Sequence, residues 1–558
     1  MNPADYRSHR DLPPLAGIGS FADAMQPGLA IDDCVARLKR HHWTLRRLHE
    51  IFIKRLTAEP VYELKMAFSL HAHYCAEHAA AWRTRVGEMR EPPLGLDAVP
   101  DAALDVFFDE ILAAPATDAL LLGIYGRALP ALRDALARHQ RDTNRLVDHP
   151  SCRLCRFALL EVDEMLAYGA AALASLLTAE RRTALAPWTA LLDRLLVQAG
   201  ALDGHALPTL RDALARHQRD TNRLVDHPSF RLCRFALLEV DEMLAYGVTA
   251  LASLLTAERR TALAPWTALL DRLLVQAGAL DGHAPPSEAA RAAAPERQFS
   301  AAPHVYDGTP RRDARFPDPY NMGVHAEAFL YDESFPPAPK TLMMYYKRLR
   351  EIDVPEMMAS IIAETPGKPW GYTVDMTRQL WDEARHAMMG EVGFVRAGLD
   401  WRELVRVNFT WSLALNTQLT PIERHAVLYF IEQGLMPKTG KRFEWEVGLA
   451  SGDAFSALIQ DYDWADEVLH ARIGRDWYVK AMGDPRQATA YGDACWSKVL
   501  IDWQSYRAQG LTRHENWWPA LYREWCRRLG HEPDPRIAAY ATSYETARAD
   551  LRELSASG

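Results

Sequence analysis

Apolar residues recur along this chain at the three- and four-residue spacing of helices, and no convincing series of alternating strands occurs. The spacing predicts a helical pair, Ile31–Leu56 and Tyr62–Met89, turning at Thr57-Ala-Glu-Pro60. Further helices are expected at Leu129–Asn144, Ser151–Leu177 and Ala179–Gly200. His149-Pro150 marks a break before the second, and Gly200 with Asp203-Gly204 ends the third. In the second half the pattern predicts helices over about 338–364, 371–397, 403–436 and 450–482. A tail over 486–558 adds more helix and carries Trp496, Trp503, Trp517, Trp518 and Trp525. The expected fold class is all-α.

One stretch occurs twice. Leu129–Ala206 returns as Leu207–Ala284, differing only at Ala131/Thr209, Cys152/Phe230, Ala170/Val248 and Ala171/Thr249. Solenoid repeats usually diverge around a spaced consensus and need three or more copies. Two near-identical copies read instead as a recent duplication of one piece of a domain. Cys152-Arg-Leu-Cys155 resembles a redox or metal CxxC, but the second copy has Phe230 and Cys233 in those places. A thiol that one copy dispenses with is expected to be a buried packing residue. Pro285–Pro319, rich in Pro, Ala, Ser and Arg, reads as a linker. The expected organisation is an amino-terminal helical domain over 1–284, the linker, a second helical domain over 320–485 and a helical extension over 486–558.

Composition narrows the function classes. The chain has 558 residues, 49% apolar and 25% charged, with a formal charge of −9. Lys and Arg lie scattered among Asp and Glu, unlike the basic footprint of a nucleic-acid binder. Met1-Asn-Pro-Ala-Asp-Tyr-Arg lacks the apolar core of a secretory signal. No run of about 18 uncharged apolar residues suggests a membrane span; even Phe157–Leu177 carries Glu161, Asp163 and Glu164. Seven cysteines are few and odd in number, so a disulfide framework is not expected and a reducing cytoplasm is.

Two segments share a spacing that chemistry can use. Asp382-Glu383-Ala-Arg-His386 and Asp466-Glu467-Val-Leu-His470 each contain Glu-x-x-His, which places carboxylate and imidazole on one helix face. A di-metal bundle needs two such pairs and one lone Glu from each of two other helices. Glu356 precedes Glu383 by 27 residues, and Glu432 precedes Glu467 by 35, offsets that suit antiparallel pairs. Glu432 is flanked by Phe430 and Ile431, where an unpartnered carboxylate would be costly to bury. Asp382 and Asp466 also lie four residues from their histidines, and Glu351 or Glu364 could stand in for Glu356. Pro355 should start or kink the helix beside Glu356.

Over roughly 340–480, the order Glu356, Glu383-x-x-His386, Glu432, Glu467-x-x-His470 resembles the ferritin-like superfamily, specifically its di-iron carboxylate proteins. These include ribonucleotide reductase small subunits, bacterial monooxygenase hydroxylases and arylamine N-oxygenases. The resemblance implies a four-helix bundle whose six matching residues hold two iron ions, or manganese. It also implies an oxidase or oxygenase acting on a small organic molecule with O2, although the substrate is not legible. Metal storage, as in ferritins, and a non-catalytic helical scaffold are the alternatives. No nucleic-acid or membrane partner is expected, and a homodimer is the candidate assembly.

The amino-terminal half echoes this pattern in a degenerate form. Glu50 and Glu77 are also 27 residues apart, but Ala80 stands where the first histidine belongs. Glu161-Val-Asp-Glu164 and its copy Glu239/Glu242 lack imidazole altogether. A second ferritin-like bundle without its own di-iron centre is expected, and His71, Cys75 and His78 on one face are expected to be polar or packing residues. Because one set of repeat helices suffices for a bundle, deleting Leu207–Ala284 should leave a soluble protein that melts cooperatively. Aggregation of the deletion variant would show that both copies are built into one core.

Overall fold

The computed structural model describes residues 6–89 without 57, 58 and 60, and 95–189 without 101. It also describes 191–192, 227–254, parts of 256–269, 302, and 305–547 without 409, 438, 501 and 502. Every regular element among the described residues is a helix, and no strand occurs there. None of these helices is long and apolar enough to cross a membrane. Four helices of the first half are used below: α1 (Ile31–Leu56), α2 (Tyr62–Met89), α3 (Leu129–Asp142) and α4 (His149–Leu176). The second half supplies α5 (Pro337–Arg350), α6 (Asp353–Glu364), α7 (Trp370–Arg396), α8 (Pro421–Gly434), α9 (Lys441–Ala450) and α10 (Ala454–Gly474).

Local chemistry sets most of these boundaries. Asp148 caps α4 by accepting from the Ser151 amide, and Pro150 occupies the first turn, where a missing N–H costs nothing. Thr420 and Glu423 close a capping box around Pro421 at the start of α8. The expected single helix over 338–364 is two, α5 and α6, parted at Glu351-Ile352, with Pro355 in the first turn of α6. The span 403–436 is likewise divided into 401–404, 410–418 and α8. Beyond α10 the chain runs through a wide π turn over Arg475–Val479 and ends its helix at Gly483, whose φ of +83° favours glycine. The expected turn at Gly200–Gly204, the first helix of the second repeat and most of the expected linker lie outside the described residues.

The chain divides into two compact units. One comprises 1–5, 21–205 and 308–558; the other comprises 6–20 and 206–307. The first unit therefore holds helices from both sides of Pro285–Pro319. The two repeat copies fall mainly in different units, and their environments differ. Met165 on α4 is 1% exposed, whereas the matching Met243 on His227–Leu254 is 66% exposed.

Within the first unit, α1 pairs with α2 and α3 with α4, while α2 meets α4 and α1 meets α3. In the second half, α10 is surrounded by α5, α7, α8 and α9 and also packs on α2. Nearly all of its residues are buried, polar ones included. A helix enclosed on every side needs a specific partner for each inward acid or base. The neighbouring α5 and α7 approach so closely at Gly390 that a Cβ there would lie 2.2 Å from the Leu349 amide nitrogen and 2.5 Å from the Tyr345 carbonyl oxygen. Backbone cannot move aside as a side chain can, so Gly390→Ala should destabilise the fold by about 1–3 kcal/mol. Gly371→Ala, whose nearest contact would be Trp477 at 3.7 Å, should be neutral or stabilising by up to about 1 kcal/mol. Urea melts of the two variants measure the difference.

Candidate metal centre

The two Glu-x-x-His pairs face each other from α7 and α10, as their helical spacing requires. His470 Nδ1 lies 3.1 Å from Glu383 Oε1, 3.5 Å from Glu467 Oε2 and 4.0 Å from Glu432 Oε1. Ligand atoms of Glu383, Glu432, Glu467 and His470 all fall within 4.8 Å of one another. Beside them, His386 Nδ1 lies 3.5 Å from Glu351 Oε2 and 3.4 Å from Asp463 Oδ1, and these three make a second such group. Glu383 serves both: its other oxygen, Oε2, is 3.4 Å from His386 Nδ1.

Five of the six expected residues are thus brought together. Glu356 is not: its carboxylate accepts from Arg312 at 2.9 and 3.0 Å and from the Ser412 hydroxyl at 2.5 Å. Glu351, at the break between α5 and α6, takes the place expected of it, because ending α5 there turns its side chain toward His386. Glu364 pairs with Arg424. Asp463 was not anticipated, although it lies four residues before Glu467 and seven before His470, on the same face of α10.

The outer ring nitrogens face the aspartates of the opposite motif. His386 Nε2 is 3.4 Å from Asp466, and His470 Nε2 is 3.5 Å from Asp382. Arg385 joins the two aspartates at 2.6 and 2.7 Å. Such carboxylates fix ring orientation and raise the basicity of the inward nitrogen. Gln379 holds Glu432 with a 3.0 Å hydrogen bond.

The electrostatics are lopsided. Glu351, Glu383, Glu432, Asp463 and Glu467 face two buried cations, Lys441 and Arg348. Lys441 Nζ is 2.7 Å from Glu467 Oε1 and 2.9 Å from Asp463, while Arg348 pairs with Asp463, Glu351 and Glu444. Burial opposes charge on Glu467, yet Lys441 holds its carboxyl well below the ordinary range. Burial, then the neighbouring charge of Glu467, pushes Glu432 far above it. Burial would depress both histidines, but the neighbouring carboxylates of Asp466 and Glu383 raise His386. The carboxylates of Asp382, Glu383 and Glu467 raise His470 well above its usual value. A metal ion bound among such groups displaces protons from acids and imidazoles.

The donor set fits a metal on a further ground. Glu351 Oε2, Glu467 Oε2, His386 Nδ1 and His470 Nδ1 are buried and make no hydrogen bond, although each points into the cluster. Atoms of this kind are costly to bury without a partner. A cavity of about 470 Å³ adjoins them, touching Glu351, Glu383, Glu432 and Glu467. Val354, Met357, Trp411, Leu415, Ile431 and Trp496 line one part of it, with the two indoles stacked 4.2 Å apart; Glu327, Arg350 and Tyr544 line another.

In the first half, His71 bonds to the Tyr125 hydroxyl at 2.8 Å and His78 faces Glu161 at 2.7 Å. Glu50 pairs with Arg47 and Lys54, and Glu77 is exposed. Comparison of the chain with family models, with curated proteins and with solved structures finds no match.

Glu351→Gln should lower the metal content of the purified protein. Glu356→Gln should leave it unchanged while destabilising the fold by about 1–3 kcal/mol, because buried Arg312 loses one of its two charged partners. Elemental analysis with a parallel melt separates the two roles.

Proposed function

We propose that this chain is a non-haem di-metal oxidoreductase of ferritin-like architecture, using O2 on a small organic substrate, with iron as its metal and manganese as the alternative. The observation that carries this reading is the pair of adjacent buried donor groups sharing Glu383. Glu383, Glu432, Glu467 and His470 would hold one ion; Glu351, His386 and Asp463, with the second oxygen of Glu383, would hold the other. Oxygen-rich donors with one imidazole per ion suit iron or manganese. When bound, these metals supply the one-electron and O2 chemistry that side chains lack.

The protein's part is placement and exclusion of water. Asp382 and Asp466 face the outer nitrogens and favour rings with their inner nitrogens toward the cluster, and Gln379 restrains Glu432. The cavity is of a size that takes a small ligand. Its Trp411–Trp496 wall suits an apolar or aromatic body. Arg350, already paired with Glu327 and Tyr544, offers a polar rim that orients the other end.

One observation favours a second reading, a non-catalytic scaffold. Lys441 and Arg348 already neutralise part of the acid cluster, as a purely structural ion network would.

Protein purified without oxygen should contain about two iron or manganese ions per chain. His386→Ala and His470→Ala should each lower that content. The ferrous protein should consume O2 stoichiometrically without accumulating a ferric mineral. Failure to take up metal under iron-replete conditions would leave the scaffold reading, and retention of many ions per chain would indicate storage.

A further inference from the structure

A second cluster of ligating side chains lies among the first-half helices, apart from the carboxylate centre. Cys34 on α1, His139 on α3 and Asp148 at the cap of α4 meet in the core, at 0, 0 and 1% exposure. Cys34 Sγ is 3.4 Å from His139 Nε2 and 3.1 Å from Asp148 Oδ2, and the ligand atoms all lie within 4.8 Å of one another. Sequence alone does not single out this trio, because its members are separated by up to 114 residues.

His139 and Asp148 each offer one inward atom and have the other tied down. His139 Nδ1 is 3.1 Å from His41 Nε2, which leaves Nε2 toward Cys34. Asp148 Oδ1 accepts from Arg85 at 2.8 Å and from the Ser151 amide at 3.1 Å, which leaves Oδ2 toward the same point. Partners of this kind fix metal ligands in register. Tyr462 of α10 comes up against Cys34 and Asp148, and its buried hydroxyl makes no well-formed hydrogen bond.

We infer that Cys34, His139 and Asp148 form a mononuclear site for a divalent metal of borderline softness, with zinc the best match. One thiolate, one imidazole and one carboxylate are a zinc-type donor set, and Tyr462 borders the remaining side. The separations of Cys34 Sγ from the other two donor atoms, 3.4 and 3.1 Å, are near those between neighbouring ligands of a tetrahedral ion. Binding forms the metal–sulfur bond as the Cys34 S–H bond breaks, and the proton leaves to solvent with no change of oxidation state. Without metal, the thiol proton simply serves Asp148. The site stands independently of the carboxylate centre, and sulfur tells the two apart, since that centre contains no thiolate.

Full-length protein, stripped with a chelator and reconstituted with Co²⁺, should show a sulfur-to-cobalt charge-transfer band in the near ultraviolet. Cys34→Ser should abolish the band, and Cys526→Ser, in a separate buried position, should leave it. His41→Gln should weaken metal binding at this site about 10–100-fold, as loss of an outer partner does. Zinc X-ray absorption on the unsubstituted protein needs no variant and should show a sulfur neighbour at about 2.3 Å. Absence of both the band and the sulfur neighbour in folded protein, or a band that survives Cys34→Ser, would overturn the site.

Discussion

Burying many carboxylates in one place is the constraint around which this structure is arranged. Charges taken from water must be paired or protonated, or must bind an ion, since isolated buried charge is too costly to keep. Around Glu383 the protein uses pairing only in part. Lys441 and Arg348 meet Asp463, Glu467 and Glu351, but no Lys or Arg reaches Glu432 among the described residues, and burial with the charge of Glu467 pushes its carboxyl far up. The orphaned inward atoms mark where that arrangement is incomplete.

The surrounding architecture serves the same constraint. Helix α10 is enclosed on all sides, so its face of Asp463, Asp466, Glu467 and His470 is held in a dry interior. Gly390 lets α5 come against α7, bringing Glu351 within reach of His386. The first-half helices also contribute. Arg385 donates to the Val147 carbonyl at 2.6 Å, and Arg378 links Asp382 to Glu88, itself bound to Arg85. A polar chain of buried and half-buried side chains therefore joins the Asp148 cluster to the outer aspartates of the carboxylate centre. Such networks resist partial disruption, because removing one member leaves another charge unmatched.

The repeat separates sequence from environment directly. Met165 and Met243 lie in near-identical surroundings of sequence, yet one is in the core and the other is open to solvent. Amphipathic spacing made both copies of this segment helical. Only the presence of α2 and α3 beside α4 gave the first copy something to bury against. Helical periodicity is a local property, whereas burial needs a partner surface, and one core offers that surface once.

The sequence by itself determined the all-α class, the bounds of α1 and α2, and the faces carrying both Glu-x-x-His pairs. Each of these follows from contacts three or four residues apart, which periodicity records directly. It also located Glu432, since a carboxylate on an otherwise apolar helix has few tolerable surroundings. Tertiary structure alone decided between Glu351 and Glu356. The two are five residues apart, and the choice depended on where α5 ended and on Arg312, 41 residues before Asp353, claiming Glu356 and Asp353 together. Lys441, Arg348 and the crossing of each aspartate to the other motif's histidine were equally beyond local reading. So was the meeting of Cys34, His139 and Asp148. Such groups come together through packing between distant helices, and no spacing along one helix encodes which of its neighbours will fill the space opposite.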